Sequence, residues 1–191
     1  MGAQPTVVIV PGLRDHAEDH WQAHLQREIP GSLCVPRLRA HKLSCRAWVD
    51  ALDATVDAAR GPVVLVAHSA GVMMVVHWAR EHPRPILGAL LVTPPDLDVA
   101  LPEGYPPPHV LDENGWLPTP MERLPFQSIV AASTNDPLAR FTRSIGMARA
   151  WGSKLVRLGN VGHMNPASGF GPWTEARTLV HQLMKPVCEQ A

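Results

Sequence analysis

The sequence predicts an α/β fold: one parallel β-sheet with helices on both faces. Short runs of β-branched and aliphatic residues recur along the chain, bounded by glycine or proline, as is typical of strands buried in a parallel sheet. Stretches with helical spacing of apolar residues separate these runs, and such alternation favours parallel strands. At 191 residues the chain is most simply a single domain over 1–191 with one core.

Six strands are predicted, at Thr6–Val10, 32–36, 61–67, 86–92, 126–132 and 154–158. Helices are predicted at 18–28, 45–59, 70–80, from the residues after Pro137 to about Trp151, and at 174–184. Between them, nine prolines in residues 93–125 leave no room for a long helix. A loop of this length is either a flap over a functional site or a surface excursion. Tyr105 and Trp116 are its candidates for touching a substrate.

Charge and hydrophobicity exclude several classes of partner. The chain has 17 basic and 17 acidic residues without a long run of either sign, so no nucleic-acid or anionic membrane surface is indicated. Its hydrophobic segments are too short to span a bilayer, and the N-terminus lacks the pattern of a secretory signal, which favours the cytoplasm. We expect a small-molecule or protein partner and make no prediction of oligomeric state.

The cysteines and one row of histidines are the candidates for metal binding. The three cysteines are an odd number, widely spaced and without a C-x-x-C pair, which argues against disulfides and against zinc; they are Cys34, Cys45 and Cys188. His16, His20 and His24 recur every fourth residue, but the intervening residues do not make the H-E-x-x-H pattern. We therefore expect no metal and no cofactor.

The stretch at 61–71, GPVVLVAHSAG, is the central feature of the sequence. It predicts a buried strand that turns sharply into a helix at Ser69, the arrangement of a nucleophile elbow. Such a turn needs small residues two positions before and after the serine, and these are Ala67 and Gly71. Ala67 departs from the strict G-x-S-x-G pattern. A simple serine N-cap is the competing interpretation.

Two further polar residues follow predicted strands: Asp136 in S-T-N-D-P and His163 in G-N-V-G-H. Carboxyl ends of parallel strands share one sheet edge, so Ser69, Asp136 and His163 are expected to meet there. The order Ser, Asp, His is that of an α/β-hydrolase triad, in which histidine takes the serine proton and aspartate orients the histidine. The backbone N–H groups of Leu13 and Ala70 would bind the developing oxyanion.

Alternatives for the acid and for the pocket remain open. Asp136 suits an ordinary turn as well, and Asp96 and Asp98 follow the strand after the elbow, where an acid could also stand. The predicted pocket residues are Arg14, Trp21, His68, Trp116 and Met164. Trp21 is compatible with a core position, and Arg14 with either recognition of an anionic acyl group or exposure to solvent.

Several of these motifs resemble the small single-domain α/β hydrolases of the retinoblastoma-binding-protein-9 and YdeN-like family. The similarity runs from about Val7 to Leu183 and rests on V-P-G-L, D-H-W-Q, V-V-L-V-A-H-S-A-G, S-x-N-D-P and G-H-x-N-x-x-S-G-F-G-P-W. The resemblance implies a three-layer α/β-hydrolase fold with a mostly parallel sheet of about six strands and no large cap domain. It also implies that alanine at position 67 is tolerated and that residues 69, 136 and 163 form the triad. One departure is L-R-D at 13–15, where many relatives have a more glycine-rich loop.

The predicted function is therefore that of a serine hydrolase that cleaves a small carboxylic ester through an acyl-enzyme on Ser69. Thioesters and amides would use the same groups. The competing hypothesis is a protein-binding member with little turnover, since a fold alone does not establish an activity.

Overall fold

A six-stranded parallel sheet forms the centre of the molecule, as the computed structural model of residues 4–14, 17–82 and 84–185 shows. Its strands are β1 (Thr6–Val10), β2 (Leu33–Cys34), β3 (Val63–His68), β4 (Gly88–Val92), β5 (Ser128–Ser133) and β6 (Lys154–Gly159). The helices are α1 (Trp21–Glu28), α2 (Cys45–Asp57), α3 (Ala70–Glu81), α4 (Pro108–Glu113), α5 (Phe141–Trp151) and α6 (Glu175–Leu183). The predicted fold class is confirmed.

The four central strands, β1, β3, β4 and β5, bury both of their faces, which explains their mainly apolar sequences, whereas the edge strands β2 and β6 are only partly buried. Alternate residues of the strands enter two separate hydrophobic clusters. Val8 and Val10 pack with α2, α3 and α5 on one side, whereas Val7 and Ile9 pack with α1 and α6 on the other. The protein therefore has three layers, with the sheet between two sets of helices.

The strand order is β2-β1-β3-β4-β5-β6, and every neighbouring pair is parallel. From β1 the chain first moves outwards to β2 and then crosses back to place β3 on the other side of β1. This reversal opens a crevice between β1 and β3 at the carboxyl edge, where ligands bind in sheets of this kind. The loop after Val10 and the turn after His68 both lie there.

Two local features differ from the predicted elements. Helix α1 begins at Trp21 and not near residue 18, because the Nδ1 of His20 accepts the Gln22 N–H and caps the helix. The proline-rich segment 93–125 contains one short helix, α4, which begins with proline at its first position. No helix in the described residues is long and apolar enough to cross a membrane.

Candidate active site

Ser69 occupies the turn between β3 and α3 in a strained backbone conformation, with φ of 56° and ψ of −129°. A non-glycine residue with positive φ costs roughly 1–3 kcal/mol and persists only where the surroundings enforce it. Here α3 presses against the end of β1: a Cβ on Gly71 would lie 2.3 Å from the Val10 carbonyl oxygen. Ala67 is fully buried between β1 and β4. The small residues around Ser69 therefore permit this close packing.

A hydrogen-bonded chain joins the three side chains that the sequence singled out. The Nε2 of His163 lies 2.8 Å from Ser69 Oγ, and its Nδ1 lies 2.9 and 3.0 Å from the two carboxylate oxygens of Asp136. A carboxylate only accepts, so Nδ1 carries the proton and Nε2 is left to accept from the serine hydroxyl. The side chains of His163 and Asp136 are both buried, with 5% and 3% of their surfaces exposed.

Asp136 is also a turn residue, because its Oδ1 accepts the Leu138 N–H at 2.9 Å. Its two rivals are engaged elsewhere. Asp96 Oδ1 accepts from Arg143 Nε at 3.1 Å, and Asp98 pairs with the same guanidinium. Of the three carboxylates, Asp136 is the one in contact with His163.

The main chain of His163 is held from both sides. Its N–H donates to Ser168 Oγ at 3.1 Å, and its carbonyl oxygen accepts from His68 Nε2 at 2.8 Å. The His68 ring also packs edge-on against Trp21. His68 was predicted as a pocket residue, and it does line the cavity. Its bond to residue 163 and the part played by Ser168 could not be inferred from sequence, because they depend on how two distant loops meet.

The two residues predicted to bind an oxyanion through their backbone N–H groups, Leu13 and Ala70, line the same cavity as Ser69. Their N–H groups have no hydrogen-bond partner among the described residues. Gly12 lies directly against the elbow, since a Cβ placed on it would be 3.3 Å from Ser69 Cβ. The N–H of Ala70 also stands at the positive end of α3. This geometry can stabilise negative charge that develops beside Ser69.

A cavity of about 500 Å³ opens at Ser69 and lies along the β1–β3 crevice. Most of its wall is apolar, and much of that wall comes from the segment 93–125. The apolar residues lining it include Leu13, Leu43, Pro95, Leu97, Leu101, Pro106, Leu111, Trp116 and Leu138. Trp116 is fully buried in this wall, and its indole N–H donates to the Leu43 carbonyl at 2.6 Å.

Trp21 and Met164 were predicted as pocket residues, and this prediction is wrong. Both are almost fully buried in the cluster that α1 and α6 form with the sheet, and neither lines the cavity. Trp21 packs edge-on against Trp173. Proximity in sequence to a site residue is not proximity in space, because neighbours on a helix or in a tight loop face in different directions.

Arg14 lies at the cavity mouth and is exposed, yet it has partners. Its Nη2 donates to the Gly104 carbonyl at 3.0 Å, and its guanidinium carbon lies 4.0 Å from the centre of the Tyr105 ring. Arg14 therefore links the loop after β1 to the tip of the proline-rich segment. This Arg14–Tyr105 contact forms the outer wall of the cavity.

No group of three or more His, Cys, Asp or Glu side chains in the part of the chain described is arranged to hold a metal ion. His20 caps α1, and His24 contacts Arg27; His16, the third member of the row, lies outside the described residues. Cys34 and Cys45 are free thiols, and burial raises the pKa of the Cys45 thiol to about 12. Cys188 also lies outside the described residues, as does Asp15.

Residues 7–182 match the family described as Serine hydrolase. The chain belongs to this serine hydrolase family. The match covers β1 to α6 and includes Ser69, Asp136 and His163. The sequence resemblance to small α/β hydrolases is therefore confirmed at the level of family and fold.

Solved structures agree with this family. A protein from Pectobacterium atrosepticum described as a YdeN-like hydrolase is 31% identical, with a TM-score of 0.78 over 95% of this chain and 94% of its own. The ydeN gene product of Bacillus subtilis is 20% identical, with a TM-score of 0.70 over 94% and 98% of the two chains. Among curated proteins, phospholipase YtpA of Bacillus subtilis is 26% identical over 108 residues. That match spans 50% of this chain and 42% of the relative, so the chain covers less than half of it.

Proposed function

We propose that this serine hydrolase cleaves carboxylic esters through an acyl-enzyme on Ser69. The observation that carries the proposal is the chain of short hydrogen bonds from Asp136 through His163 to Ser69, at the mouth of an apolar cavity. A serine hydroxyl is a weak nucleophile, and an adjacent, oriented imidazole is the usual means of activating it.

In the first half of the reaction Ser69 Oγ attacks the ester carbonyl and its proton passes to His163 Nε2. The carbonyl oxygen gains negative charge and accepts hydrogen bonds from the Leu13 and Ala70 N–H groups. Asp136 stabilises the imidazolium through the bond at Nδ1. When the intermediate collapses, the ester C–O bond breaks, and the leaving alkoxide takes the proton from His163.

In the second half, water attacks the acyl group on Ser69 while His163 again accepts a proton. Collapse of this second intermediate releases the carboxylic acid and returns the proton to Ser69. The apolar lining of the cavity favours an acyl or alcohol group without charge. A relative named as a phospholipase is consistent with ester chemistry.

A fluorophosphonate probe, which reacts with activated serines, tests the nucleophile. We expect the native chain to be labelled, Ser69→Ala to lose all labelling, and His163→Ala to be labelled far more slowly. Ser32→Ala, at the far edge of the sheet, is the matched control and should label like the native chain. A folded native chain that is neither labelled nor active on any ester would contradict the proposal and favour a protein-binding role.

A series of p-nitrophenyl esters tests the substrate class. Burial of one methylene contributes about 0.8 kcal/mol, so kcat/KM should rise up to about fourfold per added carbon until the cavity is filled. An ester, a thioester and an anilide of the same acyl group should also be compared. We expect kcat/KM to be highest for the ester. A clear preference for the thioester or anilide would keep the mechanism and change the substrate class.

A further inference from the structure

Gln22 is a fully buried polar side chain that borders the cavity without belonging to the Ser–His–Asp chain. It is the second residue of α1, and its amide Nε2 donates to two carbonyl oxygens, those of Val10 at 3.2 Å and Val66 at 2.9 Å. Carbonyl oxygens only accept, so the amide orientation is determined chemically. Its own oxygen, Oε1, is buried and has no hydrogen-bond partner among the described residues.

The two carbonyls that Gln22 binds belong to the two strands that flank the crevice. Val10 is the last residue of β1 and precedes the loop that carries Leu13, whereas Val66 lies in β3, three residues before Ser69. One amide group therefore links β1, which leads to the Leu13 loop (called the oxyanion loop below), to β3, which leads to Ser69.

Helix α3 also packs against the turn that follows Val10. A Cβ on Gly71 would lie 2.3 Å from the Val10 oxygen and 2.6 Å from the Pro11 oxygen, so α3 packs directly on this turn. Gln22 and α3 together leave the start of the oxyanion loop little freedom to move. Donors to an oxyanion act only when they are held in position before the reaction.

An unpartnered buried acceptor is destabilising, and an apolar side chain of the same size would fill this space without that cost. We propose that Gln22 is a positioning residue, which sets the Leu13 N–H relative to Ser69 by bonding the carbonyls of Val10 and Val66. This inference rests on the proposed esterase function. In it, Gln22 helps to stabilise the transition state by positioning Leu13 and does not contribute to substrate binding.

Gln22→Met tests the proposal, because methionine has a similar size and makes neither hydrogen bond. We expect kcat to fall about 10- to 100-fold. This fall should not exceed the fall in kcat that follows complete removal of one oxyanion donor. KM should stay within about twofold, and affinity for a boronic acid, which mimics the tetrahedral intermediate, should fall by the same factor as kcat/KM. The acid limb of the pH–rate profile should not shift, since the His163–Asp136 pair is untouched.

Gln26→Met, one helical turn further along α1, is the matched control and should leave kcat unchanged. Gln22→Glu is the second variant. Its carboxyl donates to a carbonyl when protonated and repels both carbonyls when ionised, so its activity relative to the native chain should fall as pH rises.

A folded Gln22→Met with native kcat, or one whose whole loss is in KM, would overturn the proposal. If that variant does not fold, the activity of Gln22→Glu relative to the native chain decides. A fall in this relative activity as pH rises supports the positioning role, and a relative activity that does not change with pH rejects it. Failure of both variants to fold would assign Gln22 to stability alone. Failure of the proposed function is distinguishable, because it would be seen in the native chain as the absence of ester hydrolysis.

Discussion

The two walls of the cavity are built in different ways. One wall consists of short loops that follow the strands directly and carry Ser69, Asp136 and His163, all linked by hydrogen bonds of 2.8 to 3.0 Å. The other wall is the segment 93–125, which presents mainly apolar side chains to the same space. The first wall holds these three side chains in place through the sheet, and the second shapes the space that a substrate would fill.

The segment 93–125 is attached firmly at its base and lightly at its tip. At the base, Asp96 pairs with Arg143, Trp116 bonds to Leu43, and the Trp151 indole donates to Pro120. At the tip, residues 103 and 104 are exposed, and Arg14 reaches Gly104 and Tyr105 from the opposite wall. Changes in the first wall should therefore affect chemistry or folding, and changes at the tip should affect selectivity.

The largest expected effect is on the proposed acid. Asp136→Asn should lower kcat about 10⁴-fold, because an amide can donate to Nδ1 and so favour the tautomer that cannot accept the serine proton. Asp96→Asn, in the other wall, should change kcat less than about threefold. Steady-state kinetics on one ester measures both. A larger loss at Asp96 would transfer the role of acid to that residue.

Gly71→Ala should disrupt the packing on which the first wall depends. The added methyl would lie 2.3 Å from the Val10 oxygen, and overpacking of this kind costs about 1–3 kcal/mol of unfolding free energy. Gly146→Ala in α5 is the control, because nothing lies within 4 Å of its new Cβ, and it should stabilise by about 0.5–1 kcal/mol. Urea unfolding measures both. Equal or greater stability of Gly71→Ala would show that the elbow has room to adjust.

Arg14→Met should release the tip of the second wall. A cation–π contact at an exposed site contributes about 0.5–1 kcal/mol, so we expect kcat/KM for esters of bulky alcohols to rise about two- to fivefold relative to acetate esters. Arg39→Met, at an exposed position, should leave this ratio unchanged. An unchanged ratio in Arg14→Met would mean that the contact does not limit access.

The smallest expected effect is on the pH dependence of stability, and it involves His77, which contacts the base of the second wall. His77 of α3 is buried, and its Nε2–H donates to the Trp116 carbonyl at 3.2 Å. Burial lowers the pKa of this imidazole, and nearby Arg80 lowers it further, whereas the hydrogen bond to the Trp116 carbonyl and the carboxylates of Glu81 and Glu122 act in the opposite direction. The folded state thus binds a proton less readily than the unfolded chain. Stability is therefore lost as pH falls through and below the ordinary histidine pKa.

Thermal unfolding between pH 7 and pH 5 measures this loss. His77→Gln keeps a donor for the carbonyl without a titrating group, so the fall in unfolding midpoint should be smaller than in the native chain. His109→Gln, at an exposed position in α4, should follow the native curve. Identical curves for the native chain and His77→Gln would assign the pH dependence to other groups.

Strand and helix positions were largely predictable, because each depends on the spacing of apolar residues within one short stretch. All six strands exist, but several ends differ by about two residues. β4, expected from residue 86, begins at Gly88, beside Val64 near the start of β3. Such an end depends on where a neighbouring strand begins, which is not a local property of the sequence.

Three features could be predicted from the sequence: the alternation of strands and helices, the family, and a serine between two small residues at a strand end. These follow from local patterns of size and hydrophobicity. The folded molecule was needed to show that Asp136 contacts His163, that Trp21 and Met164 belong to the core, and that the Gln22 amide spans β1 and β3. These contacts could not be predicted because a side chain's partners depend on the order of the strands and on the packing of loops far apart in sequence.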